Sequence, residues 1–442
     1  MQSANTIMIL KHKFTCLLLA ALPLFCFAQE NSPYSRYGIG NIVPQGNIAN
    51  RAMGGISAAI VDFTSASSVN PASMATLLYT TVDIGLEYDG RTIRSKNPVG
   101  SYQSNNGIIS YLQVGIPLLN GNKKAFDNKV SWSMTFGLKP ISKINYKIGS
   151  LTANPIDSIS TLYEGNGGIN QGFIGTAVKI KGLSFGFNTG YLFGQKDYTT
   201  KLALLNDSVS YQKAKYETKS NFGGMFLNAG VQYAAKIKGG FFRLGAYGTL
   251  SKNYNATKDE TRQTFNIDAS GADIRIDSVS AIVGQKGKIQ LPSTYGFGFA
   301  VEKEHVLFGA DFETSQWQNY RYFGKEDLVK NSWTAKAGVQ IYPASVGATG
   351  YFNFVKYRAG FAYGSDYIRV DNDLPVYTIS VGGAFPLKLR HNFYDYQYST
   401  MNVTFEYGSR GNNNNNITEN TYKVSLGFSL SDMNWFRRQK YQ

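Results

Sequence analysis

From Thr81 onward the chain alternates apolar residues with polar or small ones, and this period of two constrains its fold more than any other feature. Val82, Ile84, Leu86 and Tyr88 alternate with Thr81, Asp83, Gly85 and Glu87. Val130, Trp132, Met134, Phe136 and Leu138 alternate with Ser131, Ser133, Thr135, Gly137 and Lys139. The pattern returns at Leu183, Phe185, Phe187, Tyr191 and Phe193, and again at Tyr422, Val424, Leu426, Phe428 and Leu430. Each such segment is a strand with one apolar and one polar face. About fourteen can be counted: 80–89, 107–118, 129–140, 168–180, 182–194, 218–236, 240–254, 290–303, 305–315, 331–342, 353–364, 376–387, 399–408 and 420–430.

The connections sort by parity. Long polar stretches follow odd-numbered strands (141–167, 195–217, 255–289, 316–330 and the Asn-rich 409–419), whereas Lys181, Ile237 to Gly239 and Glu304 are tight turns after even ones. An even strand count with long loops on one side is the pattern of an outer-membrane barrel. The alternative, a large soluble β-protein, does not sort its loops this way. Charged residues make up 17% of the chain, against roughly 25% in ordinary soluble domains, and 30 Tyr and 28 Phe argue against disorder. After the first thirty residues no apolar run approaches the ~18 residues of a membrane-spanning helix. A membrane protein of this kind must therefore be a closed barrel, the other structure that satisfies its own backbone in lipid.

Residues 1–28 read as a secretory signal peptide: Lys11, His12 and Lys13, then the apolar run Phe14 to Phe27, then Ala28 before Gln29. Cys16 and Cys26, the only cysteines, fall inside it. A mature chain starting at Gln29 has no disulfide, thiol chemistry or cysteine-ligated metal. Loss of Lys11 and Lys13 lowers the formal net charge from +15 to +13. That excess reads as a solvated surface, compatible with anionic lipid headgroups, and shows no nucleic-acid function.

Residues 29–79 do not alternate. They are rich in Ala, Ser and Gly, as in Arg51-Ala52-Met53-Gly54-Gly55 and Asn70-Pro71-Ala72-Ser73-Met74. Small side chains suit a confined space, so an inward-folded plug is expected over a periplasmic tail. Gly296, Gly298, Gly309, Gly338 and Gly360 are expected to allow close packing or local bends on the lumen side. Tyr88, Trp317, Tyr320, Tyr322, Trp333, Tyr363, Tyr407 and Trp435 fit interfacial girdles.

At this point the sequence resembles the FadL/TodX family of outer-membrane transporters for hydrophobic compounds. Asn70, Pro71 and Ala72 match the motif that ends the family's hatch. Pro292, Gly296, Asp311 and Trp317 resemble its strand-hairpin pattern, and Trp333 to Tyr342 and Tyr357 to Tyr363 resemble the two strands that follow it. The ending Trp435 to Gln442 departs from the family and looks more like secretion-associated relatives. The resemblance implies a fourteen-stranded barrel and a hatch acting through Gly54, Gly55, Asn70, Pro71 and Ala72. It also implies a lateral gap at an inward kink of the third strand. Gly137 and Pro140 could weaken the ladder there, although Pro140 also reads as an ordinary strand end.

Catalytic chemistry is not expected. His305 and His391 are the only histidines after the signal, and Gly165-Asn166-Gly167-Gly168 precedes a strand and reads as a loop, not a phosphate cradle. No metal or cofactor is called for. Charged residues fall on the inward row, including Asp83, Glu87, Arg243, Asp311, Glu313, Arg358 and Glu406, as any barrel requires, because a lipid-facing Lys or Arg costs about 2–4 kcal/mol at mid-bilayer.

The expected molecule is thus an all-β transmembrane antiparallel barrel of about fourteen strands. Its parts are a signal peptide (1–28), a hatch (29–79), the barrel (80–430) and a periplasmic tail (431–442). It would sit in a Gram-negative outer membrane with both termini periplasmic, among lipid and lipopolysaccharide. The expected ligand is a hydrophobic small molecule such as a long-chain fatty acid, taken up passively. The alternative is a non-transporting barrel that docks or shuttles for a secretion-system protein partner.

Overall fold

The computed structural model describes residues 32–120, 130–153, 157–206, 209, 211–344, 349–370, 372–387 and 397–432. The expected signal segment with Cys16 and Cys26, and likewise His391, Trp435 and residues 433–442, lie outside them. The strands are β1 (Asn41–Ile42), β2 (Thr80–Lys96), β3 (Val99–Asn120), β4 (Val130–Ala153), β5 (Ser158–Ile180) and β6 (Leu183–Leu205). They continue with β7 (Lys213–Ile237), β8 (Gly240–Thr249), β9 (Lys252–Ile267), β10 (Asp273–Leu291), β11 (Thr294–Lys303) and β12 (Val306–Ser315). The last are β13 (Arg321–Tyr322), β14 (Ser332–Ile341), β15 (Lys356–Arg369), β16 (Asp373–Pro386), β17 (Gln397–Arg410) and β18 (Ile417–Asp432).

These strands close into a fourteen-stranded antiparallel barrel. β8 and β9 share one wall position, both pairing with β7, and β10 and β11 share the next, pairing with β9 and β8. β18 pairs with β2 from Thr80↔Asp432 to Ser95↔Ile417 and shuts the cylinder. The expected strands 240–254 and 290–303 are each interrupted, the second at Pro292, which has no N–H to give to a ladder.

The polar stretches expected as long loops are mostly strand. The β4–β5 ladder continues to Ala153↔Ser158, β6–β7 to Leu202↔Ala214 and β9–β10 to Ile267↔Asp273. Backbone pairing does not need apolar side chains once a strand has passed the lipid belt, so alternation fades while the ladder goes on. Across the belt the polarity is that of a membrane barrel. Trp132, Phe136, Phe185, Phe187, Leu227, Phe297, Phe361 and Phe405 are exposed, while Asp83, Ser131, Ser133, Thr135 and Lys139 on inward rows are buried. Tyr88, Trp333 and Tyr363 are exposed as girdle residues should be, but Trp317 and Tyr320 are buried. They belong to a short 3-10 turn, Trp317–Asn319 with its cap, whose rings pack on each other and on Tyr367.

Residues 32–79 fill the lumen, and the contacts of 48–58 and then 70–77 run around the inner wall, meeting its strands in reverse order. Ile48 lies against Gly427 of β18 and Thr404 of β17, and Ala52 against Gly382 of β16. Met53 and Gly54 sit on Gly360 and Gly338 of β15 and β14, and Ile56 on Gly309 of β12. Ala58 meets Gly245 of β8, Asn70 meets Gly230 of β7, and Pro71 and Ala72 meet Gly186 of β6. The series ends with Ala75 at Ser131 of β4 and Leu77 at Gly115 of β3. Wall glycines are what permit this approach: a Cβ would stand 1.9 Å from the Ala58 carbonyl oxygen at Gly245, 2.3 Å from that of Met53 at Gly338, and 2.0 Å from the Gly54 nitrogen at Gly360. Gly296 and Gly298 instead make room for the wall's own Tyr247 and Asp311 side chains.

Candidate functional site: the hatch and the bend in the wall

The Asn70-Pro71-Ala72 motif is a seat cut to fit. Asn70 caps the 3-10 turn Pro71–Thr76, its side-chain oxygen accepting from the Ala72 N–H at 3.1 Å, and Pro71 occupies the first position, where a missing N–H costs nothing. Its amide donates to the Ala58 carbonyl at 2.6 Å, so one fully buried residue ties two turns of the hatch together beneath Gly230. Gly54 and Gly55 carry φ of +70° and +81°, and the Gly54 N–H donates to Ser380 Oγ at 2.9 Å. Both carry a reversal of the chain that follows the helix α1 (Ile48–Arg51) and that side-chain-bearing residues adopt at a cost.

Of the acidic and basic residues expected along the lumen, most turn out to hold the hatch. Asp311 accepts from the Ser57 and Ala58 N–H groups, the latter at 2.8 Å. Asp83 accepts from Ser65 Oγ and, at 3.3 Å, from Tyr111 OH. Glu87 and Glu406 both grip Arg51, which is 2% exposed, and Lys423 reaches Glu87 at 3.2 Å from the wall. Lys139 donates to Ser68 Oγ at 2.9 Å. Glu313 and Arg358 bind wall residues, Tyr247 with Lys336 and Gln340 with Asn402 respectively. Arg358 and Lys356 still act on the hatch through Asp62: burial pushes that carboxyl up, but the two cations and hydrogen bonds from Thr64 bring it below its usual range. Arg243 stands apart, paired with Glu302 at 2.6 Å.

Among the lumen residues that escaped the sequence reading, two tie the N-terminal segment to the wall most directly. Arg51 is one; with Arg36 it is one of only two cations in residues 29–79, a scarcity that could have marked it. Lys196 is the other, donating to the Gly38 carbonyl at 2.6 Å and to Tyr320 OH at 3.1 Å, with its ammonium 4.4 Å above the Tyr322 ring. Around it lies an apolar cluster that includes Tyr34 and Ile39 of the hatch and Phe173, Leu192, Phe222, Trp317 and Tyr367 of the wall. Beside the cluster is a cavity of about 400 Å³ with a mixed lining, in which Arg51, Arg91, Glu406, Arg410 and Glu419 stand beside apolar residues such as Val43, Val69 and Val376.

Gly137 and Pro140 lie on β4. The β3–β4 ladder ends at Leu112↔Leu138, one residue past Gly137, and the β4–β5 register slips between Pro140 and Ser142. Beyond the slip β4 exchanges its neighbour: β1 pairs with it at Asn41↔Lys143 and Ile42↔Ser142, and the Ser32 N–H donates to the Asn145 carbonyl at 3.1 Å. β5 follows the bend at Gly167 and Gly168, with φ of +138° and +139°. Gly165 to Gly168 is therefore the interior of a strand, not a loop. A depression of about 560 Å³ beside the slip is lined by Pro140, Ser142, Gly168, Gly194 and Phe222.

A model of the BamG family matches residues 8–442. The chain belongs to the BamG family. No curated protein matches this BamG-family chain. Among solved structures it is similar to a Pseudomonas aeruginosa FadL homologue, at 13% identity and a TM-score of 0.55 over 90% of this chain and 99% of the other. The Pseudomonas putida toluene transporter TodX is similar at 14% identity and a TM-score of 0.54, over 90% of this chain and 100% of that one. The Ralstonia pickettii toluene transporter TbuX gives 12% identity and a TM-score of 0.50, over 88% and 99%. At such identities the likeness is one of fold, so the FadL/TodX resemblance holds for architecture while the family shown is BamG.

The described ends of the chain lie far apart. Ser32 donates to Glu419 near the start of β18, and Asp432 ends that strand. The termini themselves, expected on the periplasmic side, lie outside the described residues.

Proposed function

We propose that this protein is an outer-membrane channel for hydrophobic small molecules whose lateral gap is closed by its own hatch. The observation that carries the reading is the exchange of partners on β4, where β1 takes over the edge that β3 leaves at Leu138. An apolar solute gains nothing by entering water, so a sideways exit into lipid is the favourable path from the apolar cluster around Phe173 and Phe222. The fold similarity to hydrocarbon channels supports this reading, and Gly137, Pro140 and the hatch residues Gly54, Gly55 and Asn70 to Ala72 are its working parts.

The test exploits the absence of cysteine after Cys26. Val43 N–H donates to the Ile141 carbonyl, which makes the neighbouring Ile42↔Ser142 a close, non-hydrogen-bonded pair, at the roughly 4.5 Å Cα spacing that a disulfide tolerates. An Ile42→Cys/Ser142→Cys variant should take up labelled long-chain fatty acid or toluene only after reduction. Uptake equal in both redox states would dismiss β1 as the gate.

A second reading, a docking component for protein secretion or surface assembly, rests on a different observation. β10 pairs with β9 along its length but with β13 only at Ile289 and Gln290, and Ile274, Ile276, Val279, Ile282 and Val283 are exposed on it. A long edge with free backbone groups is suited to pairing with an extended partner segment. Replacing Ile276 and Val279 with Lys should abolish co-purification of any such partner while leaving solute uptake intact.

A further inference from the structure

A small pocket lies beneath the hatch, at the end of the barrel where the Lys181-Gly182 and Lys238-Gly239 turns are. It is about 50 Å³ in volume, and its lining includes Val61, Phe63 and Leu78 of the hatch, Phe241 of the wall, and two cations, Lys179 and Arg243. Arg243 is 4% exposed; one guanidinium nitrogen meets Glu302 at 2.6 Å, while Nη1 is buried with no hydrogen-bond partner among the described residues. Lys179 is partly buried, and its ammonium has no acceptor or ion-pair partner among the described residues. The neighbouring polar groups are already committed: Ser131 Oγ donates to the Ala75 carbonyl, and the Gln232 amide to those of Ala58 and Ile60.

Two cations and one carboxylate leave this pocket with an uncompensated positive charge in a half-apolar setting. Burial of a charge without a counter-charge is costly, and so is a buried N–H donor without an acceptor. An oxyanion placed between Lys179 and Arg243 Nη1 removes both costs. The apolar lining distinguishes the ligand further, since a bare hydrated anion gains nothing from Val61, Phe63, Leu78 and Phe241. Lys181 and Lys238 on the adjoining turns and Lys236 at the end of β7 add to the attraction at the mouth. We propose that this pocket binds the oxyanion head, carboxylate or phosphate, of an amphiphile whose chain lies along Phe63 and Leu78. The site stands apart from the β1 gate and does not depend on the channel reading.

The experiment is titration calorimetry of the purified full barrel in an uncharged maltoside detergent, with decanoate, dihexanoyl phosphatidate and inorganic phosphate as probes. One or both amphiphiles should bind saturably, and more tightly than inorganic phosphate. Lys179→Met should weaken that binding at least about tenfold, the size of effect expected from losing a charge-assisted hydrogen bond, and Lys179→Arg should restore it. Whichever amphiphile wins names the head group. Inorganic phosphate binding as tightly as the amphiphiles would overturn the amphiphile assignment. Absence of saturable binding by the wild-type barrel, or an affinity unmoved by Lys179→Met, would overturn the site. The heat-dependent shift of the barrel on gels confirms that each variant is folded before it is scored.

Discussion

Arg51 concentrates the residue-scale energetics of the hatch. Its guanidinium is buried between Glu87 and Glu406, carboxylates that lie on β2 and β17 of the wall. Removing one member of such a group strands the others, which typically costs about 3–5 kcal/mol, whereas replacing the whole group is far less damaging. Arg51→Met should therefore speed hydrogen exchange of the 48–58 amides by orders of magnitude, and adding Glu87→Gln and Glu406→Gln should recover most of the protection. Asp62 gives a pH dependence. Its carboxyl is lowered on folding, because Lys356, Arg358 and the Thr64 hydrogen bonds outweigh burial, so its contribution is complete above the ordinary carboxylate range and is lost as pH falls through the depressed value. Hatch protection should fall in strong acid, and Asp62→Asn should flatten that part of the profile. The inward place of Asp83, Glu87, Asp311 and Glu406 was legible because the strand period assigns a face to every residue. Their partners were not, since Arg51 and Glu406 are 355 residues apart and nothing local encodes the meeting.

At the scale of elements, the bend through β4 and β5 depends on glycine as much as on Pro140. A Cβ at Gly167 would stand 2.2 Å from the Gln195 carbonyl oxygen, and one at Gly168 2.4 Å from that of Ser142. Gly167→Ala/Gly168→Ala should straighten or unfold this part of the wall, seen as a lower temperature for the gel-shift transition; an unchanged transition would show that the bend does not rest on these residues. The motif was misread as a loop because a run of glycine shows no alternation, and period-two reasoning cannot tell a strand that bends from one that has ended. The same limit explains the polar strand extensions beyond the belt. Residues 32–79 offer a contrasting case: their small side chains suited the lumen they occupy, yet their landing sites on the wall were visible in the sequence only as unexplained glycines. Gly360→Val, which drives a side chain into the Met53-Gly54 backbone, should unseat that stretch and expose it to protease.

Taken as a whole molecule, the barrel is a wall whose polar interior is consumed by its own N-terminal segment. A variant lacking residues 32–78 behind an intact signal should form an ion-conducting pore in planar bilayers, against a near-closed wild type. Equal conductance would mean that the segment does not seal the lumen. Because residues 48–58 and then 70–77 touch wall strands one after another, in reverse order around the circumference, most of their contacts are arranged in series along the chain. A pull on the N-terminal end would load the Ser32 and β1 contacts with β4 first, then Ile48, Ala52, Gly54, Ile56 and Ala58, and only later Asn70 and Leu77. The segment would then leave the barrel as a tape peels, in a succession of small force peaks, and never as a cork drawn in one rupture.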